Sequence, residues 1–164
     1  MHPYIHAKKN PNKPALIMAS SGEITTYKEL DERSNQIAHL FRQKGLKIGD
    51  GISIFMENNS RFLEICWAAQ RSGLYFTPIS SKLTAAEVKY IHDDCNSQFL
   101  ISSKYLKNVA NETFQLTKKT KHHYMVDGVE EGWQSFENAI MDLPKTPIPD
   151  EEMGQDMLYS SGTT

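Results

Sequence analysis

Two spacings of apolar residues alternate along this chain. One recurs every three or four positions and lines one side of an α-helix; the other is a short unbroken run, as in a strand covered on both faces. The helical spacing first appears over Leu30, Ile37, Ala38 and Phe41. Just before it, Thr26-Tyr27-Lys28-Glu29 forms a capping box, whose hydroxyl and carboxylate each satisfy a backbone donor at a helix start. Gly45 supplies a left-handed stop after Lys44. Upstream, residues 15–18 and 23–25 flank Ala19-Ser20-Ser21-Gly22, which predicts a small hairpin turning at the glycine.

The apolar run at 52–56 lacks polar alternation and is the candidate for the central strand. Asn59 or Ser60 caps the next helix, with Phe62, Cys66 and Ala69 on one side and Gly73 at its end. Residues 74–78 follow as a second strand. A second capping box, Thr84-Ala85-Ala86-Glu87, opens a helix carrying Val88, Ile91 and Cys95, and 99–101 is a third strand. Beyond Ser103 the periodicity weakens. Tyr105 with Val109 allows a short helix, 124–126 before Asp127-Gly128 reads as strand and turn, and 135–141 as a short helix. Pro144, Pro147 and Pro149 with Asp150, Glu151 and Glu152 make 142–155 a Pro-rich, acidic surface connection. Strand alternating with helix predicts an α/β fold: a mostly parallel, doubly wound sheet with flanking helices.

Composition narrows the function less than the pattern narrows the fold. The chain has 164 residues, 39% hydrophobic and 23% charged, with a formal net charge of -2, so no electrostatic footprint points to nucleic acid or an acidic membrane surface. Residues 1–14 are polar and carry no leader-like apolar stretch, and no run approaches the roughly 18 apolar residues of a membrane span. A cytoplasmic protein is expected, with no transmembrane segment. Cys66 and Cys95 read as small buried hydrophobes. His122 and His123 point to opposite faces of a strand and have no third partner, so no metal site is expected. Lys118, Lys119 and Lys121 read as a solvated loop. Trp67, four residues from Leu63, reads as core or interface.

The chemistry gathers at the end of the chain. Met157-Leu158-Tyr159 has strand character and feeds Ser160, Ser161, Gly162, Thr163 and Thr164. Gly162 tolerates positive φ, successive N–H groups can converge, and the hydroxyls add donors, so such a segment can cradle phosphate. The same composition at a terminus also reads as a disordered tail. Neither a Walker ending nor G-x-G-x-x-G is present.

Residues 159–164 resemble the first half of the signature loop of the adenylate-forming (AMP-binding) superfamily, the acyl-CoA synthetases, luciferases and adenylation domains, whose pattern continues Gly-x-Pro-Lys-Gly. Ile24-Thr25-Thr26-Tyr27-Lys28-Glu29-Leu30 is similar to that family's Thr-Tyr-x-Glu-Leu motif. Gly73 with Pro78, then Thr84, Glu87, Tyr90, Ile91, Asp94 and Leu100-Ile101, are similar to its second region. Ser80 stands where amino-acid adenylation domains usually carry an acid, which turns the resemblance toward acyl-CoA synthetases acting on a fatty or related carboxylic acid.

The resemblance implies that residues 1–164 are a partial N-terminal AMP-binding domain, the N-terminal portion of the acyl-CoA synthetase fold. The parent would use ATP, Mg2+ and coenzyme A, by way of an acyl adenylate. Ser160, Ser161, Gly162, Thr163 and Thr164 would contact ATP. No catalytic residue and no metal ligand would lie in this chain, so the fragment itself is expected to be inactive and to hold no cofactor. A homodimer and peripheral membrane association of the parent are allowed. The competing expectations are a fragment of an amino-acid or aryl adenylation enzyme, and a non-catalytic α/β binding module.

Overall fold

The structure, a computed structural model, describes residues 3–159. After a short helix α1 (Pro3–Lys9), strands β1 (Pro14–Ile17) and β2 (Ile24–Thr26) form the expected antiparallel hairpin. Helix α2 (Tyr27–Gln43) begins at the first capping box. Thr26 Oγ1 accepts the Glu29 N–H at 3.2 Å, and Glu29 Oε2 accepts the Thr26 N–H at 2.8 Å. Gly45 follows its end with φ +86°, a conformation that a Cβ would strain.

The chain then alternates as its apolar pattern predicts: β3 (Gly51–Phe55), α3 (Ser60–Arg71), β4 (Tyr75–Ile79), α4 (Ala85–Asp94), β5 (Ser97–Ser103), a 3-10 turn, α5 (Lys107–Leu116) and β6 (His122–Val126). Asn59, rather than Ser60, caps α3, accepting the Arg61 N–H at 2.9 Å. At α4 the Glu87 carboxylate takes both the N–H and the hydroxyl of Thr84, at 2.8 and 2.7 Å. Three short elements follow: β7 (Gln134–Ser135), α6 (Phe136–Ile140) and β8 (Gln155–Asp156).

Six strands make one sheet in the order β7-β6-β5-β3-β4-β8, with every pairing parallel. Successive side chains point to opposite faces and build two cores. Ile52, Ile54, Phe99, Ile101 and Tyr124 pack with Phe41 of α2, Ile65 of α3 and Phe136 of α6. On the other face Phe55, Leu100 and Met125 pack with Val88 of α4 and Ala110 of α5. The sheet is therefore doubly wound, as the alternation of elements predicts. Among the described residues no helix is long and apolar enough to cross a membrane.

The stretch from 142 to 155 runs along α2 and is held there by polar contacts. Gln36 Nε2 donates to the carbonyls of Ile140 and Leu143, Asn35 Nδ2 to that of Lys145 at 2.8 Å, and Arg42 Nε to the Asp150 carboxylate at 2.9 Å. Ile148, within this stretch, is buried. At its end Gly154 presses against α3 and β4, where a Cβ would stand 2.4 Å from the Leu74 carbonyl oxygen. Only glycine lets the backbone come this close, and its N–H donates to Gln70 O at 2.7 Å. That contact sets β8 beside β4. The strand pairing thus falls at Gln155–Asp156, before the apolar residues 157–159 that carry strand character in the sequence. Only Met157 continues it, through its N–H to Phe76 O at 2.9 Å.

Two histidines are built into the core in neutral form. His92 lies with Nδ1 3.1 Å from Ser53 Oγ and Nε2 2.6 Å from Thr120 Oγ1; His123 Nε2 is 2.9 Å from Thr117 Oγ1. Burial pushes both down to about 4. Between pH 6.5 and 4.5 the unfolded chain takes up protons that the folded chain refuses, so stability is full above 6.5 and falls as pH drops. Each histidine should contribute a slope of about 1.4 kcal/mol per pH unit in that window. Urea midpoints between pH 7 and 4.5 check this: a flat profile, or one that His92→Gln leaves equally steep, refutes it.

The caps give a second test. Thr26→Ala should lower stability by about 1 kcal/mol, with Thr84→Ala shifting the denaturation midpoint in the same direction. Unchanged midpoints in both would show that these helices start without their caps.

Candidate functional site

In an open parallel sheet, ligands collect outside the carboxyl ends of the strands, where neighbouring strands send their helices to opposite faces. Here that point lies between β3 and β5: β3 is followed by α3 on one face and β5 by α5 on the other. A cleft of about 600 Å³ opens there, lined by Glu57 and Asn58 after β3, Ser80 and Ser81 after β4, and Tyr105 after β5.

Glu57 on the wall of this cleft belongs to a hydrogen-bonded row of carboxylates. The Ser103 hydroxyl at the end of β5 donates to Glu57. Asn59 Nδ2 donates to Glu57 Oε1 at 3.2 Å and to Asp127 Oδ2 at 2.6 Å, while its Oδ1 caps α3. Asp127 sits in the left-handed region at φ +60°, and its N–H donates to Glu137 Oε1 at 3.0 Å. One asparagine amide therefore ties the ends of β3 and β6 and the start of α3 together. Beside this row Lys104 pairs with Glu130. Ser80 also borders a second, more apolar cavity of about 580 Å³ with Leu83, Tyr90 and Tyr159.

Ser160, Ser161, Gly162, Thr163 and Thr164 lie outside the described residues. The structure follows the chain toward them as far as Tyr159, whose hydroxyl donates to Asp94 Oδ2 at 2.5 Å. The other singled-out residues lie away from the carboxyl edge. His122 packs on Phe99, and His123 on the opposite face meets Trp133 and Phe114. Burial pushes the Cys66 thiol up to about 12, so it stays protonated and unreactive. Lys118, Lys119 and Lys121 are exposed. Trp67 is half-buried and lines a groove on α3.

The sequence marks Asn59 as a cap candidate and Asp127 as a turn residue, but does not mark Glu57, Asn59, Ser103 or Asp127 as members of a site. A signal for them exists: each stands at or within a few residues of the end of a predicted parallel strand, where topology places ligand sites.

The fold is a doubly wound α/β domain with a cleft at its carboxyl edge, and comparison with known proteins gives its family. Residues 4–164 match the model of the AMP-binding enzyme family, and the chain belongs to that family of adenylate-forming ligases. The 4-hydroxybutyrate–CoA ligase 1 of Metallosphaera sedula is 30% identical over 98% of this chain and 28% of its own length. The fatty acid–acyl-carrier-protein ligase ScoC of Streptomyces coeruleorubidus is 28% identical over 97% of this chain and 30% of its own. The crystal structure of the anthranilate CoA ligase AuaEII in complex with anthranoyl-AMP matches with a TM-score of 0.85 at 21% identity, over 99% of this chain and 32% of that one. At that identity the likeness is one of fold. The chain thus spans 28 and 30% of the length of these two relatives.

Asn59→Asp tests the bridging amide. The change keeps the acceptor that caps α3 but replaces two N–H donations with a third carboxylate. It should lower stability by at least about 1.5 kcal/mol at pH 7. A neutral effect at pH 7 would mean that the row is held some other way.

Proposed function

We propose that the whole protein is an ATP-dependent acyl-CoA synthetase for a fatty or related carboxylic acid. The observation that carries this reading is the family match across residues 4–164, which takes in the Ser/Thr/Gly segment at its end. Ser80, where amino-acid adenylation domains carry an acid, supports an acyl rather than an amino-acid substrate.

In the proposed reaction a carboxylate oxygen attacks the α-phosphorus of ATP. The bond to the bridging oxygen breaks, pyrophosphate leaves with that electron pair, and the acyl adenylate remains. The thiol of coenzyme A then attacks the acyl carbon, and AMP departs. Negative charge builds on the pyrophosphate, which preorganised N–H and hydroxyl donors stabilise. That role is assigned to Ser160, Ser161, Thr163 and Thr164, with Gly162 letting the backbone approach. Among the described residues no group of three or more His, Cys, Asp or Glu is placed to hold a metal ion, so the magnesium is given no ligand here and no step passes through it.

Residues 1–164 carry no Gly-x-Pro-Lys-Gly lysine, and on this reading they neither form acyl-CoA nor bind Mg-ATP with micromolar affinity. Titration calorimetry of this chain decides the second point, since micromolar binding lost in Ser161→Ala/Thr163→Ala would show a cradle formed without that lysine. For the full-length protein, ATP–pyrophosphate exchange should respond to fatty or related acids and not to amino acids, with AMP released on adding coenzyme A. Exchange driven by amino acids alone would replace this reading with an amino-acid adenylation enzyme, and no exchange with any acid would sink the enzymatic reading altogether.

A further inference from the structure

Successive ties lead the chain from the sheet toward residues 160–164. The first is the backbone pairing of Gln155 and Asp156 with Tyr75 and Phe76 of β4, and the second is the Met157 N–H to Phe76 O at 2.9 Å. Leu158 follows, 70% exposed, and among the described residues no backbone bond to β4 continues past Met157. The last tie is made by a side chain: the Tyr159 hydroxyl donates to Asp94 Oδ2 at 2.5 Å, across 65 positions of sequence. That length belongs to a hydroxyl donating to an ionised carboxylate, a stronger bond than one between neutral groups.

Asp94 is a fixed acceptor. It is the last residue of α4, whose Val88 and His92 are buried. His92, two residues before it, is held at both ring nitrogens by Ser53 and Thr120. Cys95, just after it, has its carbonyl oxygen where a Cβ at Gly51 would meet it at 3.0 Å, so this end of the helix sits against the start of β3. The neighbouring Asp93 pairs with Lys89, whereas Asp94 makes no ion pair among the described residues and keeps its charge for the tyrosine. The Tyr159 ring also lines the cavity it shares with Ser80, Leu83 and Tyr90.

We infer that Asp94 is a positioning residue: through the Tyr159 hydroxyl it fixes where the chain leaves the sheet, and so aims residues 160–164 at the phosphates of ATP. Donors stabilise a developing charge only when they are held in place beforehand, and ordering the backbone costs entropy at every residue. A segment of serine, glycine and threonine has no large side chain with which to anchor itself, so its fixed end has to come from the residues before it. Backbone bonds to β4 stop at Met157, and the bond to Asp94 carries the fixed end to Tyr159, next to Ser160. Stability of the fold is a poor account of this bond, since Asp94 is exposed and Tyr159 is 36% exposed, where a lost hydrogen bond changes stability little. The inference rests on the proposed contacts of residues 160–164 with ATP; Asp94 acts on them through Tyr159 and is not itself a catalytic residue.

Kinetics and hydrogen exchange of the full-length protein test it. Tyr159→Phe keeps the ring and removes only the donor, and Asp94→Ala removes the acceptor. Each should lower kcat/KM for ATP in ATP–pyrophosphate exchange by about fivefold and leave KM for the carboxylic acid unchanged. The thermal midpoint should stay within about 1 °C of wild type. The double variant should be no worse than either single one, because both changes break the same bond. Asp94→Asn, which keeps an acceptor oxygen, should recover most of the loss seen in Asp94→Ala. In the ligand-free protein, amides of 160–164 should exchange about fivefold faster in Tyr159→Phe than in wild type. Unchanged exchange of these amides, an unchanged kcat/KM for ATP, effects of the two variants that multiply, or a loss that tracks a lowered thermal midpoint overturns the inference. If the wild-type protein shows no ATP–pyrophosphate exchange with any acid, the enzymatic reading falls, and hydrogen exchange still decides whether Asp94 and Tyr159 hold the segment.

Discussion

The architecture depends on strand β3 being buried along its whole length. All five residues of Gly51–Phe55 are inaccessible, with β4 on one side and β5 on the other. Parallel neighbours cannot be joined by a tight turn, so each connection must cross a face of the sheet, and the crossovers become helices. Because Ile52 and Ile54 face one way and Phe55 the other, both faces need cover, and the chain supplies α2, α3 and α6 to one and α4 and α5 to the other. The strand's entry is also tight. A side chain at Gly51 would meet the Cys95 carbonyl oxygen at 3.0 Å, so α4 ends hard against the start of β3.

The helices on the first face are aligned by charges rather than by apolar contact alone. Glu64 of α3 is fully buried and is met by Arg33 of α2 at 2.8 Å and by Arg61 at 3.1 Å. Arg71, nearly buried, pairs with Asp31 of α2 at 2.6 Å and reaches Glu151 in the strap that leads to β8. Buried ion pairs add little net stability, since desolvation offsets most of their attraction. Removing one partner is costly, however, so they penalise any sliding of α2 against α3. Through Glu151 the same network bears on where β8 meets the sheet.

These features differ in how far the sequence reveals them. The capping boxes and the runs at 52–56, 74–78 and 99–101 were legible because each is a local pattern with a local physical cause. Strands β7 and β8 were not. Each has two residues, Gln134-Ser135 and Gln155-Asp156, with no β-propensity, and is recruited only through backbone bonds to a neighbour already in place. Gly154 explains the second case, since its role is a close approach to Leu74, 80 positions away, that no local pattern records. The carboxylate row was missed for a related reason. Glu57, Asn59, Ser103 and Asp127 come from three separate strand ends, and the topology alone brings them together.

That row constrains how the family's chemistry can be arranged around this part of the fold. Glu57, Asp127 and Glu137 put negative charge on the carboxyl edge, and the Lys104 nearby is committed to Glu130. A triphosphate brought to this edge meets repulsion unless cations or oriented donors outweigh it. On the proposed reading the donors are the N–H groups and hydroxyls of residues 160–164, and the charge is countered by the lysine of the Gly-x-Pro-Lys-Gly continuation. Separating these contributions has a physical use. A loop rich in neutral donors positions phosphate without binding it tightly, so affinity, and with it catalysis, would wait on the cationic groups of the rest of the protein. The portion described here then acts as a scaffold: its buried strand and interhelical ion pairs hold the edge rigid, and its carboxylates keep that edge from capturing phosphate by charge alone.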